Sequence, residues 1–174
     1  PNGKIKSEGN RKNFELDSVW KFYDGNGKIL TETNYISGKK EGIKRTWDPE
    51  GYILLEEMFV SDVKQGLTHT YYTPDDSTQT KGKQKFKTLF DKGKEHGLAY
   101  EYDKEGKIIT IMEYTYGVLK KQETINRTDR SGQKQGAWKD FYESGKVKEE
   151  TTFLNGKKSG YSKVYLPSGS LATI

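Results

Sequence analysis

Apolar and aromatic residues return along this chain at a spacing of 24. With a turn glycine taken as slot zero, Gly3, Gly27 and Gly51 are 24 apart, as are Gly82 and Gly106, and Gly145 and Gly169. Slot two holds Ile29, Ile53 and Ile108; slot eight holds Tyr35, Phe59, Phe90, Tyr114 and Phe153. Two positions of equal parity in an extended chain point to one face, which leaves Glu8, Glu32, Glu56 and Glu150 at slot five on the other. Such alternation, rich in β-branched and aromatic residues, predicts a strand after each slot-zero glycine.

A glycine turn follows at slots 11 to 15, as in Gly38-Lys39-Lys40-Glu41-Gly42 and Gly156-Lys157-Lys158-Ser159-Gly160. The second strand begins at slot 16, with Val19, Ile43, Leu67, Leu98, Ala137 or Tyr161. It ends on an aromatic at slot 20: Tyr23, Trp47, Tyr71, Tyr102, Phe141 or Tyr165. Asp48-Pro49-Glu50-Gly51 then carries the preferred residues of a type I turn. Two tight reversals per period predict an all-β fold, an elongated single-layer antiparallel meander of stacked hairpins. The slot eight and slot 20 aromatics together form its expected ladder, and no helix is needed.

Two interruptions break the count. Between Tyr71 and Gly82 the chain is seven residues too long, which predicts a protruding loop at 72–81. Between Gly106 and Gly145 there are 39 residues, 24 plus 15. Residues 1–117 therefore read as a first array, 118–135 as an irregular seam with a strand near Leu119 to Asn126, and 136–174 as a second run of hairpins. The start on Pro1-Asn2-Gly3 and the stop at Ile174, five residues past a turn glycine, are what a trimmed chain would show.

Composition narrows the functional classes. Twelve Tyr, seven Phe and three Trp supply a thin aromatic core. With no Cys there is neither a disulfide framework nor a thiolate metal site. No apolar run approaches the ~18 residues of a membrane-spanning helix. The net charge of +5 suits acidic partners, yet of 30 cations only Arg11, Arg45, Arg127 and Arg130 are arginines, which argues against a reader of nucleic acid.

The pattern Gly-Lys-Lys-x-Gly-x-x-x-x-aromatic, followed by x-x-x-Gly-Lys-aliphatic, resembles the bacterial variant of the MORN repeat, a group labelled YwqK-like antitoxin. The stretches Asn126 to Asp129 and Gln135 to Tyr142 are similar to the start of such arrays. The resemblance implies a hairpin array used for protein contacts and, in the wider group, for membrane association or as an accessory to enzyme domains. Phe14 and Ser18 stand where the first repeat should have its glycine pair, Asp62 replaces a turn glycine, and Arg11 takes an aromatic slot.

Candidate chemistry is sparse. His69 and His96 have no second His or Cys at ligand spacing, so no metal is expected. The slot-five carboxylates should pair with neighbouring lysines. The glycine turns lack the strand-to-helix context of a phosphate loop, no nucleophile has a paired base, and no cofactor is implied. Trp20 and Trp138, at slot 17, have the parity opposite to the ladder and should stand exposed among Lys and Glu. With Asp75 and Asp76 in the loop, they are the expected partner contacts. The expected function is a non-enzymatic scaffold for another protein. The alternative is a module for glycan, peptidoglycan or anionic lipid; the compartment stays open, with the cell envelope ranked ahead of the cytoplasm.

Overall fold

The computed structural model describes residues 3–73 and 82–174. Every regular element among them is a strand: β1 (Ser7–Lys12), β2 (Glu15–Tyr23), β3 (Ile29–Ile36), β4 (Lys39–Trp47), β5 (Ile53–Val60), β6 (Val63–Lys64), β7 (Gly66–Tyr71), β8 (Gln84–Asp91), β9 (Lys94–Tyr102), β10 (Ile108–Thr115), β11 (Val118–Thr124), β12 (Arg127–Thr128), β13 (Lys134–Phe141), β14 (Val147–Leu154), β15 (Lys157–Tyr165) and β16 (Leu171–Thr173). Except for β6 with β7 and β11 with β12, strands consecutive in sequence pair, all antiparallel. β1 to β11 make an 11-stranded sheet, with the short β6 pairing only β5, and β12 to β16 make a five-stranded one. This is the meander that the period predicts.

Two devices recur in each hairpin. The reversals at Ser37-Gly38, Lys92-Gly93, Tyr116-Gly117 and Asn155-Gly156 have positive φ at both residues, the geometry that matches strand twist in a two-residue turn. Asn13-Phe14 and Ser61-Asp62 take the same geometry without a glycine. The slot 15 glycine serves a different purpose. Gly42, at φ +81, lies inside β4, where Lys40 to Lys44 face only Tyr35 to Thr33, so the strand carries two extra residues.

The second device is a one-residue bulge at slot three. Thr46 pairs with Leu55 but Trp47 pairs with Ile53, so Leu54 is surplus. The same step recurs at Phe22/Tyr23, Thr70/Tyr71 and Asp140/Phe141. One surplus residue inverts the alternation of everything before it relative to everything after it. The expected sharing of one face by slots two and eight is therefore corrected. Slot two joins the slot 20 aromatics and the slot-five glutamates, while slot eight turns to the opposite face. The aromatic ladder is two ladders: Tyr23, Trp47, Tyr71, Tyr102, Phe141 and Tyr165 on one side, and Tyr35, Phe59, Phe90, Tyr114 and Phe153 on the other.

The tightest packing lies on the slot-eight side and consists largely of small residues. Thr33, Thr68, Ala99, Thr110 and Thr151 are buried there beside Trp20 and Phe59. Small side chains sink beneath long neighbours in a single layer. Lys40 and Lys64 lie over the rings of Phe59 and Phe90, and Lys134 over Phe153, with ammonium groups 4.3 to 5.1 Å from the ring centroids. The buried Glu57 holds Lys64 at 2.7 Å and Lys44 at 3.2 Å. Burial raises its pKa, but these two cations outweigh it and leave the carboxyl below the ordinary range.

Most of the 118–135 stretch, expected as an irregular seam, is strand. β11 closes the first sheet and β12 opens the second, so the break narrows to Ile125 and Asn126, both buried.

Candidate functional site: an open face with an aliphatic row

The slot 20 side of the sheet carries the features a partner could read. Along the second strands, slots 16, 18 and 20 share this face, and cross-strand pairing brings slots five and seven of the next strand to the same side, as in Ile43 with Met58 and Arg45 with Glu56. Charge and ring alternate across it. Tyr71 donates to Glu56 at 2.5 Å; the other Glu56 oxygen accepts from Arg45 Nε at 2.8 Å, and Arg45 Nη1 lies 3.7 Å from Glu32. Tyr23 donates to Glu8, and Lys139 lies 3.6 Å from Glu150 and 2.7 Å from Glu123. The slot-five column thus finds cations or phenols across the strands. Its expected place opposite slot two is what the bulge overturned.

These contacts move proton affinities in predictable directions. Burial first, then the bond to Glu56, pushes the Tyr71 phenol up to about 12. The Tyr71 bond and the Arg45 guanidinium hold Glu56 below the ordinary carboxylate range, against a smaller opposing effect of burial. A phenol and a carboxylate held this way are fixed struts.

Between the struts runs a row of aliphatic side chains. Val19, Ile43, Met58, Leu67, Leu89 and Leu98 come from β2, β4, β5, β7, β8 and β9, and each is 38% to 49% exposed. Side chains this open form a stripe crossing the strands, interrupted at β3, where Asn34 pairs with Val19. Ile43, Met58 and Leu67 border a depression of about 290 Å³ with Glu56 and His69. At the far end, Leu98 lines a cleft of about 400 Å³ with Val147, Glu150 and Tyr165, so the second sheet borders the row. Burial of a row this long against another molecule is favourable, at roughly 25 cal/mol per Å² of apolar surface.

The expected contact residues stand differently. Trp20 is buried at 8% exposure rather than open to solvent. Its Nε1 donates to the Asn10 carbonyl at 2.7 Å, the Arg11 guanidinium lies 5.2 Å from its ring centroid, and a Cβ on Gly9 would fall 2.5 Å from the indole. Its face is the slot-eight face, because the bulge placed both there. Trp138 shares that face, half-buried, with Lys107 and Lys134 at 4.0 and 4.2 Å from its centroid and the Phe153 ring edge-on at 5.9 Å. Asp75 and Asp76, with the rest of 74–81, lie outside the described residues. The row was missed because its members differ in type and alternate with charge, although the slot 16 column was visible.

Among the described residues no group of three or more His, Asp or Glu is placed to hold a metal ion. His69 Nδ1 lies 2.9 Å from Gln84 Oε1, and His96 packs on Tyr116 with centroids 4.5 Å apart. No helix is long and apolar enough to cross a membrane, among the described residues.

Residues 16–37, 95–116 and 134–155 match the family described as MORN repeat variant. Each match covers a second strand, the turn after it and the next first strand: β2 with β3, β9 with β10, and β13 with β14. The same arrangement recurs, unmatched, in β4 with β5 and β7 with β8. No curated protein matches the chain.

Proposed function

We propose that this chain is a non-enzymatic MORN repeat scaffold that docks another protein along the face bearing Val19, Ile43, Met58, Leu67, Leu89 and Leu98. One observation carries the reading: six aliphatic side chains on adjacent hairpins stay about half open, where a single-layer sheet has no second layer to cover them. MORN repeats are in general binding modules, and a row flanked by fixed charges suits a partner with an apolar centre and a polar rim. In its finer form the reading takes the host as bacterial and the array as antitoxin-like, after the label of the resembling group.

A photo-crosslinker placed at Ile43 or Leu67 tests this in host extract. It should capture one partner that the same group at Lys120, away from the row, does not, and Leu67→Glu should abolish capture. Equal capture at both places would overturn the reading. The second reading, an anionic headgroup, draws on Lys107 and Lys134 beside Trp138. It predicts binding to vesicles containing anionic lipid that fades as salt screens the lysines.

A further inference from the structure

We propose that Asn26 is a site of spontaneous succinimide formation and hydrolysis, and that Asn155, in the same Asn-Gly sequence, is held out of that reaction by Gln135. The two sites have the same chemistry and different settings. Asn26 lies in the turn between β2 and β3, exposed, and its carboxamide makes no hydrogen bond among the described residues. Only its backbone N–H is engaged, donating to Asp24 Oδ1 at 2.8 Å. Gly27 follows, with nothing within 4 Å of where its Cβ would be; its N–H donates to the Asp24 carbonyl at 3.1 Å, much as the glycine nitrogen is held at the other site, so the two sites differ in the freedom of the carboxamide.

Asn155 is exposed as well, but it is clamped. Its Oδ1 accepts from Gln135 Nε2 at 2.9 Å, and its backbone N–H donates to Gln135 Oε1 at 3.2 Å. The carboxamide cannot rotate onto the Gly156 nitrogen without breaking the first bond, and that nitrogen is itself bonded to the Lys134 carbonyl at 3.0 Å.

At Asn26 the Gly27 nitrogen loses its proton and attacks Cγ. The carboxamide nitrogen takes up a proton and leaves as ammonia, closing a five-membered imide. Water then opens the ring. Attack at Cγ restores the main chain and gives aspartate; attack at the backbone carbonyl leaves the chain running through the side chain as isoaspartate. No oxidant or reductant is needed. Two of the equivalent positions before a turn glycine are Glu50 and Glu105, with Ser144 and Ser168 at two others, so aspartate gives this turn a charge that two of its counterparts already have. Isoaspartate lengthens the turn by one backbone carbon and separates Gly27 N–H and Lys28 N–H from their acceptors on Asp24.

The test is a time course on the intact folded chain in mildly alkaline buffer, with tryptic mapping of the peptides containing Asn26 and Asn155. Conversion at Asn26 should outrun Asn155 by about tenfold or more, since freeing Asn155 breaks its hydrogen bonds to Gln135. In denaturant the two rates should converge, and Gln135→Ala should accelerate Asn155 while leaving Asn26 unchanged. Equal rates in the folded chain, or no product at Asn26, would overturn the proposal.

Discussion

The side chain of Asn126 pairs with the backbone of Lys139 as one peptide group pairs with another. Its Oδ1 accepts from Lys139 N–H at 2.8 Å and its Nδ2 donates to the Lys139 carbonyl at 3.0 Å, while Nδ2 also reaches the Ile108 carbonyl at 2.9 Å. Ile108 belongs to β10 and Lys139 to β13, so one carboxamide joins the first sheet to the second. The left-handed φ of +56 suits Asn, which tolerates that region better than most residues. Asn126→Ala should strand the Lys139 backbone groups and cost roughly 2–3 kcal/mol. Asn126→Asp should cost more, because it aims a carboxylate at two carbonyl oxygens. Calorimetry should show the loss, and small-angle scattering should show a broader range of angles between the sheets.

Phe14 sits at φ +66 with its ring 94% exposed, in the turn position where Gly38, Gly93 and Gly156 stand. A bulky residue in that region is strained by about 1–2 kcal/mol, and its ring is almost wholly open to water. Phe14→Gly should raise stability by about 1 kcal/mol, a rise in Tm of roughly 2–4 °C. Asp62→Gly should give less, since the Asp62 carboxylate accepts from Lys40 N–H at 2.9 Å and glycine would lose that bond.

Trp20 and Ile43 should separate the supporting face from the docking face. Trp20→Ala removes a buried ring and should cost about 3 kcal/mol in urea unfolding. Ile43→Ser alters a half-open side chain and should stay within about 0.5 kcal/mol, yet weaken capture of the partner. A large stability loss from Ile43→Ser would place the row in the core instead.

Tyr71 gives the alkaline limb of the stability profile. Its pKa of about 12 in the folded chain exceeds the ordinary 10 of an unfolded tyrosine, so its contribution is complete below pH 10 and is lost as pH rises from there to about 12. Glu56 acts in the other direction. Its lowered pKa favours the fold above the ordinary carboxylate value, and that part is lost as pH falls through the folded value. In phenolate absorbance, the difference between the wild type and Tyr71→Phe should titrate near 12; a midpoint near 10 would mean that the phenol is free.

Much of this architecture was legible from the chain alone, because glycines at fixed slots leave few other folds. The turns, the meander, the strand near Leu119 and the want of glycine at Phe14 and Ser18 could all be read there; the φ of +66 and +61 at those two residues is what the structure adds. The faces were not legible. Parity counting assumes uninterrupted pleating, and Leu54 or Leu30 reads like any other strand residue although the register shows it to be surplus. The error carried into the site: it put Trp20 in solvent and merged two aromatic columns. The splice at Asn126 was hidden for another reason, since one carboxamide standing in for a peptide group leaves no periodic trace.

The surplus residue at slot three also governs how such a chain can grow. Copying or losing a whole hairpin leaves every later side chain on its own side, and loss of the surplus Leu54 alone would keep Ile53 against Trp47, Leu55 against Thr46 and Glu56 against Arg45 in an unbulged strand. Lengthening by complete units, or straightening a single bulge, is therefore tolerated by the pleat, whereas sliding the paired stretch by one residue would send Glu57 and Phe59 where Glu56 and Met58 now stand.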